Sequence, residues 1–255
     1  MARELSPQEI AERSLIKTYR KSLWNPFIAA VKRYELVSPG DHIAVCISGG
    51  KDSVVLAKLM QELQKHTDQP FELTFLVMDP GYNPANRALI EENAKLLGIP
   101  VTIFESDIFD VTVQVEKNPC YLCARMRRGC LYAKAQELGC NKIALGHHMD
   151  DILETLLMNI TFQGAFSTMP PKLLMNKFDM TIIRPMCLVH EADLEKMAQI
   201  RNFKKQIKNC PYETQSNRTD MKGILKQLEA LNPEARYSLW GSMTNVQEEL
   251  LPDKL

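Results

Sequence analysis

The 255-residue sequence predicts an α/β fold: a doubly wound, mostly parallel sheet with helices on both faces, and helical additions at its N- and C-terminal ends. Three observations lead there. From residue 41 onward, short apolar runs of strand length alternate with helix-length periodic segments, the pattern that builds a parallel sheet covered on both faces. Residues 5–36 and those after 210 show helical periodicity alone. The run Ile43-Ala44-Val45-Cys46 passes directly into Ile47-Ser48-Gly49-Gly50-Lys51-Asp52-Ser53, a strand that ends in a two-glycine turn before a helix.

The elements follow in order. Ile10, Leu15, Ile16, Leu23, Phe27 and Ala30 give the first stretch its helical spacing. A strand at 42–47 leads to a helix at about 51–66, and a strand at 71–78 to a helix at about 84–97 that Gly98 ends. A short strand at 100–104 comes next, then a helix at about 121–138 closed by Gly139 and a strand at 142–146. A helix at about 149–162 carries Met149, Ile152, Leu153, Leu156, Leu157 and Ile160 on one face. The loop at 163–180, with Gly164, Pro170 and Pro171, is the candidate for a mobile or substrate-facing loop. A strand at 181–186 and a helix at about 191–203 complete the alternation, and helices at about 217–230 and 233–250 end the chain. The expected divisions are an N-terminal helical segment at 1–36, an α/β domain at 37–208 and a C-terminal helical segment at 209–255.

Composition narrows the function classes. Hydrophobic residues at 45% and charged residues at 24% are ordinary for a soluble globular protein. No apolar stretch approaches the ~20 residues a bilayer span needs, and Met1-Ala2-Arg3-Glu4 is not a signal-peptide start, so a cytoplasmic protein without membrane association is expected. The formal net charge of zero argues against a broad nucleic-acid-binding face. Two local runs soften that objection. One holds Lys117, Arg125, Arg127, Arg128 and Lys134, the other Lys196, Arg201, Lys204, Lys205 and Lys208, each without an acidic residue between. Such runs are either solvated helix faces or phosphate contacts.

The turn at Ser48–Ser53 carries the first chemistry. Backbone N–H groups at a strand-to-helix turn converge on one concavity, and the helix N-terminus adds partial positive charge, so the expected guest is a phosphate or pyrophosphate. Ser48 and Ser53 supply hydroxyls, Lys51 a mobile cation, and Asp52 an oxygen ligand for Mg2+. The segment resembles the PP-loop of the ATP-pyrophosphatase superfamily; the Gly-x-x-x-x-Gly-Lys spacing of a Walker A loop is absent. Gly146-His147-His148-Met149-Asp150-Asp151 ends another strand on the same sheet edge. Asp150 and Asp151 are either a helix-capping pair or Mg2+ ligands, and His147 or His148 can contact phosphate or assist proton transfer. Met78-Asp79-Pro80-Gly81 ends the second strand, either as a plain β-turn or as the rest for an adenine ring.

The cysteines carry the second chemistry. Seven in a cytosolic chain do not suggest a disulfide framework. Cys46, Cys130, Cys140 and Cys187 stand among apolar residues, as core does. Cys120 and Cys123 form a C-x-x-C pair, which can ligate a metal or cluster or act as a redox pair. Cys210, in a polar stretch, offers a third thiolate. Three thiolates suit a cubane Fe–S cluster with one iron open to an external ligand.

Taken jointly, Ser48–Ser53, Cys120-Tyr121-Leu122-Cys123, Arg127-Arg128-Gly129, Ala144–Ile152, Met169-Pro170-Pro171-Lys172-Leu173 and Ile183-Arg184-Pro185 resemble the tRNA 2-thiocytidine synthetases (TtcA-like enzymes). The resemblance spans roughly residues 25–250. It implies a PP-loop fold of the adenine nucleotide alpha hydrolase type and an enzyme that thiolates cytidine 32 of tRNA with ATP and Mg2+. By position, Ser48, Gly49, Gly50, Lys51, Asp52, Ser53 and Met78 then bind ATP. Lys51, Asp52, Asp150, Asp151 and His147 serve catalysis, and Cys120, Cys123 and Cys210 hold a 4Fe–4S cluster. A sulfur donor such as a cysteine desulfurase and a homodimer are further expectations. One departure stands out: the family's second C-x-x-C is reduced here to Cys210, followed by Pro211-Tyr212-Glu213. The rival readings are another PP-loop ligase, a sulfurtransferase for a different base or a small molecule, and a non-catalytic zinc-stabilised RNA-binding module.

Overall fold

The computed structural model describes residues 4–106, 108, 119–200 and 217–252, without the side chains of 119–121, 199, 200 and 217. Its centre is β1 (His42–Ile47), buried from Ile43 onward. Ile43, Val45 and Ile47 enter one hydrophobic cluster, while Ala44 and Cys46 enter the cluster on the opposite face. An apolar run without alternation therefore reads as a strand covered on both sides. β1 pairs in parallel with β2 (Glu72–Asp79), and β2 with β3 (Val101–Glu105). On its other side β1 pairs in parallel with β4 (Lys142–Ala144), which pairs in parallel with β6 (Met180–Ile183). With β5 at Lys172–Met175, the full order is β3-β2-β1-β4-β6-β5, so the chain reverses its direction of travel across the sheet between β1 and β4. Open α/β sheets bind ligands outside the carboxyl ends of strands at such a switch point.

One face is covered by α3 (Lys51–His66), α4 (Pro84–Leu96) and α7 (Glu191–Ile200), whose Leu56, Ile90 and Met197 share the cluster of Ile43 and Val45. Tyr132 and Ala135 of α5 (Pro119–Glu137) cover the other, against Ile143 and Ile182. The expected doubly wound α/β fold with helical additions is thus the observed one.

The N-terminal stretch is built differently from a plain helical preface. Ser6 and Glu9 form a reciprocal capping box on α1 (Pro7–Arg13), with Pro7 inside the first turn. Two π-helical turns follow, Ser14–Thr18 and Arg20–Trp24, before α2 (Asn25–Arg33). Pro26 lies in the first turn of α2; it lacks an N–H, so the ladder is broken just upstream. Leu15, Leu23 and Phe27 enter the same cluster as Ile43, so this segment is part of the α/β core.

Glu12 ties α1 to α3. It sits 2.8 Å from the ammonium of Lys58, which is 1% exposed and also donates to Gln61 and to the Leu97 carbonyl. Burial alone would raise the Glu12 carboxyl, but hydrogen bonds from Lys58, Lys65 and Gln8 outweigh it and hold the pKa at about 2. A depressed carboxyl contributes stability above its unfolded value, and that contribution is lost as pH falls from 4.5 toward 2. Glu12→Gln is expected to lower stability at pH 7 by about 2–4 kcal/mol, because it leaves Lys58 buried without its carboxylate. It should also flatten the acid limb between pH 5 and 3, as read by urea unfolding.

Two expectations are corrected. The loop at 163–180 contains β5 (Lys172–Met175), antiparallel to β6 with Leu173 opposite Ile182. Leu173 and Leu174 are exposed, so no buried-face alternation announced this edge strand, and its ladder comes from pairing alone. The helix expected at 233–250 is α9 (Ala235–Ser242) followed by a short 3-10 turn at Glu248–Leu250. The amides of Met243, Thr244 and Asn245 bond three residues back, to Trp240, Gly241 and Ser242, which tightens and ends the helix.

The chain forms two compact units. The first comprises residues 1–149 and 170–213 and contains the sheet; the second comprises 150–169 and 214–255. The second unit holds most of α6 (Met149–Gln163), with α8 (Asn217–Leu231) and α9. Among the described residues, no helix is long and apolar enough to cross a membrane.

Candidate nucleotide site and cysteine helix

At the carboxyl end of β1 the backbone turns through Gly49, at φ +81°, a left-handed conformation that costs an L side chain about 1–2 kcal/mol. Gly50 is the extended N-cap of α3. The serines bind the turn together. Ser53 Oγ donates to the Gly50 carbonyl at 2.8 Å and accepts from the Ser48 amide at 3.2 Å, and Ser48 Oγ lies 3.3 Å from Ser53 Oγ. Ser53 is buried. The Gly50 amide in turn donates to Ser48 Oγ at 3.4 Å, so both hydroxyls help to hold the loop's shape.

Lys51 Nζ lies 3.2 Å from Asp52 and 3.6 Å from Glu191, both partly exposed. Both carboxylates occupy the first turn of a helix, where the dipole favours negative charge. Glu191 was not singled out in sequence; only an acid at the start of a helix marked it, and its place beside Lys51 is a tertiary fact.

The end of β4 meets this turn. Leu145 N bonds Ile183 O, and Gly146 then passes so close that an added Cβ would lie 3.2 Å from the Ser53 nitrogen and 3.3 Å from its Cα. Gly146→Val is expected to push the PP-loop backbone out of place, at about 1–3 kcal/mol of overpacking. Binding of a non-hydrolysable ATP analogue should fall at least about tenfold, with the far-ultraviolet circular dichroism unchanged. His147 is half-buried and His148 is buried; Met149 starts α6 with its amide on the Val189 carbonyl.

At the end of β2, Met78 is buried and Asp79 closes a tight turn. Asp79 Oδ1 accepts from the amides of Gly81 and Tyr82, and Oδ2 from Arg87 at 2.8 Å. Burial would raise this carboxyl, but the Tyr82 amide and Arg87 hold it below its usual range. Arg127 Nη2 of α5 donates to Tyr82 Oη at 3.2 Å, so the cysteine-bearing helix is attached to this same edge. In the expected basic run, Arg127 is thereby engaged and Lys134 pairs with Glu137, while Arg125 and Arg128 are exposed.

Cys120 is the second residue of α5 and Cys123 the fifth, three positions apart and hence on one side of the helix; Cys123 is half-buried. A helix N-terminus favours thiolate, and arginines follow at once. This donor pair fits a cluster. Cys210 lies outside the described residues. Cys46, Cys140 and Cys187 are buried, as core cysteines should be, and Cys130 is half-buried. Burial pushes the Cys46 and Cys187 thiols up to about 12, which keeps them from acting as ligands or nucleophiles.

In the second unit, Asp150 is buried against the guanidinium of Arg236, which also donates to Glu229 at 3.0 Å. Asp151 lies 3.5 Å from Arg218. Burial pulls the Arg236 pKa down, but Glu229 and Asp150 more than restore it. The acidic pair thus has arginine partners from α8 and α9, which the sequence did not single out.

A glycine turn between a buried parallel strand and a helix, set at the switch in strand order, defines a PP-loop nucleotide-binding domain. Residues 23–205 match the family model of the PP-loop domain. The tRNA-cytidine(32) 2-sulfurtransferase of Alkalilimnicola ehrlichii is 36% identical over 243 residues, 94% of this chain and 77% of its own. That of Syntrophotalea carbinolica is 38% identical over 229 residues, 88% of each chain. The U34-tRNA thiolase NcsA from Methanococcus maripaludis, solved with its [4Fe-4S] cluster, superposes with a TM-score of 0.71 at 25% identity. That alignment covers 90% of this chain and 80% of the thiolase. The chain belongs to the tRNA-cytidine(32) 2-sulfurtransferase family of PP-loop proteins.

Proposed function

We propose that this protein is an ATP-dependent tRNA sulfurtransferase that converts cytidine 32 of the anticodon loop to 2-thiocytidine. The observation that carries the reading is the attachment of the cysteine helix, through Arg127 and Tyr82, to the sheet edge that bears the PP-loop. That attachment supports a reading in which nucleotide activation and the cysteine pair serve one sheet edge.

The residues divide the work. The amides of the Gly49-Gly50 turn and the N-terminus of α3 bind the polyphosphate of ATP. Lys51, held by Asp52 and Glu191, follows negative charge as pyrophosphate leaves. The α-phosphate is presented to the C2 oxygen of the cytosine, and adenylation makes that oxygen a good leaving group. Asp52, Asp150 and Asp151 are the candidate Mg2+ ligands; for Asp150 and Asp151 that role requires exchange of Arg236 and Arg218 for the cation. His147 is the candidate for proton movement at the edge. Buried Met78 lines the candidate adenine side. Cys120, Cys123 and Cys210 would hold a 4Fe–4S cluster, which when bound supplies an open iron for the sulfur delivered to C2. The target base must leave its stack to reach such an edge, which suits a loop nucleotide.

A cysteine desulfurase as sulfur donor, a homodimer and a cytoplasmic location complete the proposal. The test is pyrophosphate release with unmodified tRNA transcripts. Release should depend on tRNA and fall when cytidine 32 is replaced by uridine; release indifferent to that base would favour another substrate.

A further inference from the structure

Arg184 follows β6 at the carboxyl edge of the sheet and is only 7% exposed. Its amide donates to the Pro171 carbonyl and its Nη1 to the Pro170 carbonyl at 2.6 Å. Its Nε is buried without a hydrogen-bond partner. Among the described residues no carboxylate pairs with it. The ionisable groups facing it are the phenol of Tyr132 and the thiol of Cys187, both neutral at physiological pH. Burial lowers its pKa. A buried guanidinium whose side chain meets one neutral acceptor among the described residues carries a large desolvation cost that an apolar side chain of similar length would avoid.

The location gives that cost a purpose. Ala144 pairs with Ile183, and Leu145 N donates to Ile183 O, so Arg184 follows level with Leu145, the residue before the Gly146 that packs on the Ser53 backbone. Tyr132 belongs to α5, the helix of Cys120 and Cys123. Arg184 therefore stands at the carboxyl edge of the sheet, two strands from β1 and on the α5 side. The Nε–Nη2 edge is the fork with which arginine grips the two oxygens of a phosphate.

We propose that Arg184 binds a phosphoryl oxyanion of a reactant through its Nε–Nη2 edge. The oxyanion belongs either to the nucleotide or to the RNA backbone; this part rests on the reading of the protein as an ATP-dependent tRNA enzyme.

Arg184→Met and Arg184→Lys separate this role from a structural one. Three quantities are measured on the full, cluster-reconstituted chain: the melting midpoint alone, the Kd of a non-hydrolysable ATP analogue without RNA, and the Kd of tRNA across a salt series. Arg184→Met should melt at or above the wild-type temperature, since it removes an uncompensated charge, yet bind one ligand at least about tenfold more weakly. Arg184→Lys should recover little, because it keeps the charge and loses the fork. Loss confined to the ATP analogue assigns the oxyanion to the nucleotide. Loss confined to tRNA, with the salt slope reduced by about one, assigns it to the backbone. If Arg184→Met does not fold, Arg184→Lys decides alone. A folded variant with both affinities at the wild-type level overturns the proposal, whatever its melting point. Wild-type protein that binds neither ligand would instead contradict the reading of function.

Discussion

Asp52→Ala is expected to abolish Mg2+- and tRNA-dependent pyrophosphate release, with a rate loss of about 10²–10³, while the fold persists. Asp52 lies in the first turn of α3, one residue from the Gly49-Gly50 turn, and its carboxylate holds Lys51 at 3.2 Å. The substitution removes a cation ligand and frees Lys51 at the point where charge develops. Its structural cost is modest, because a partly exposed acid at a helix N-terminus is worth about 0.3–1 kcal/mol. If Asp52 merely complements the helix dipole, the variant melts slightly lower and turns over normally. The two accounts thus differ by at least a hundredfold in one rate measured beside one melting curve.

Cys123→Ala is the second large effect. Anaerobically reconstituted variant protein should lose the visible charge-transfer absorption of the cluster and thiolate tRNA at least about a thousandfold more slowly. Binding of the ATP analogue should stay within about twofold. The separation follows from placement: Cys123 is on α5, whereas the nucleotide turn is built by β1, α3 and Gly146. Cys46 and Cys187 lie buried in the core, where burial pushes their thiols up to about 12. A cluster retained at full intensity in the variant would remove Cys123 from the ligand set and return C-x-x-C to a redox or structural role. Zinc found in place of iron in anaerobically purified wild-type protein would favour the non-catalytic module.

Much of the fold was legible because it is written in local patterns. The apolar run before Gly49-Gly50, the periodicity of 51–66 and 84–97, and Gly98 and Gly139 as stops all bear directly on parallel α/β units. β5 was not legible, because an exposed edge strand shows no buried periodicity and takes its identity from pairing with β6. The π-helical turns were hidden by a helical spacing that tolerates extra residues, and Pro26 was their one local mark.

The site divides in the same way. Ser48–Ser53 and the C-x-x-C pair are contiguous motifs and could be read directly. Glu191 beside Lys51, Arg236 on Asp150 and Arg127 on Tyr82 are contacts between segments distant in sequence. Nothing in their local sequence distinguishes them from solvated charges. The serines illustrate the limit of motif reading. Ser53 belongs to the expected phosphate loop, and its hydroxyl also donates to the Gly50 carbonyl, a bond within the turn that the motif does not announce.

The most direct measurement is nucleoside analysis of an unmodified tRNA transcript after incubation with anaerobically reconstituted protein, ATP, Mg2+ and sulfide. The account predicts 2-thiocytidine that maps to position 32, formed with release of AMP and pyrophosphate and absent when ATP is omitted. An active, cluster-loaded preparation that leaves cytidine 32 unmodified, or places sulfur on another base, would contradict it.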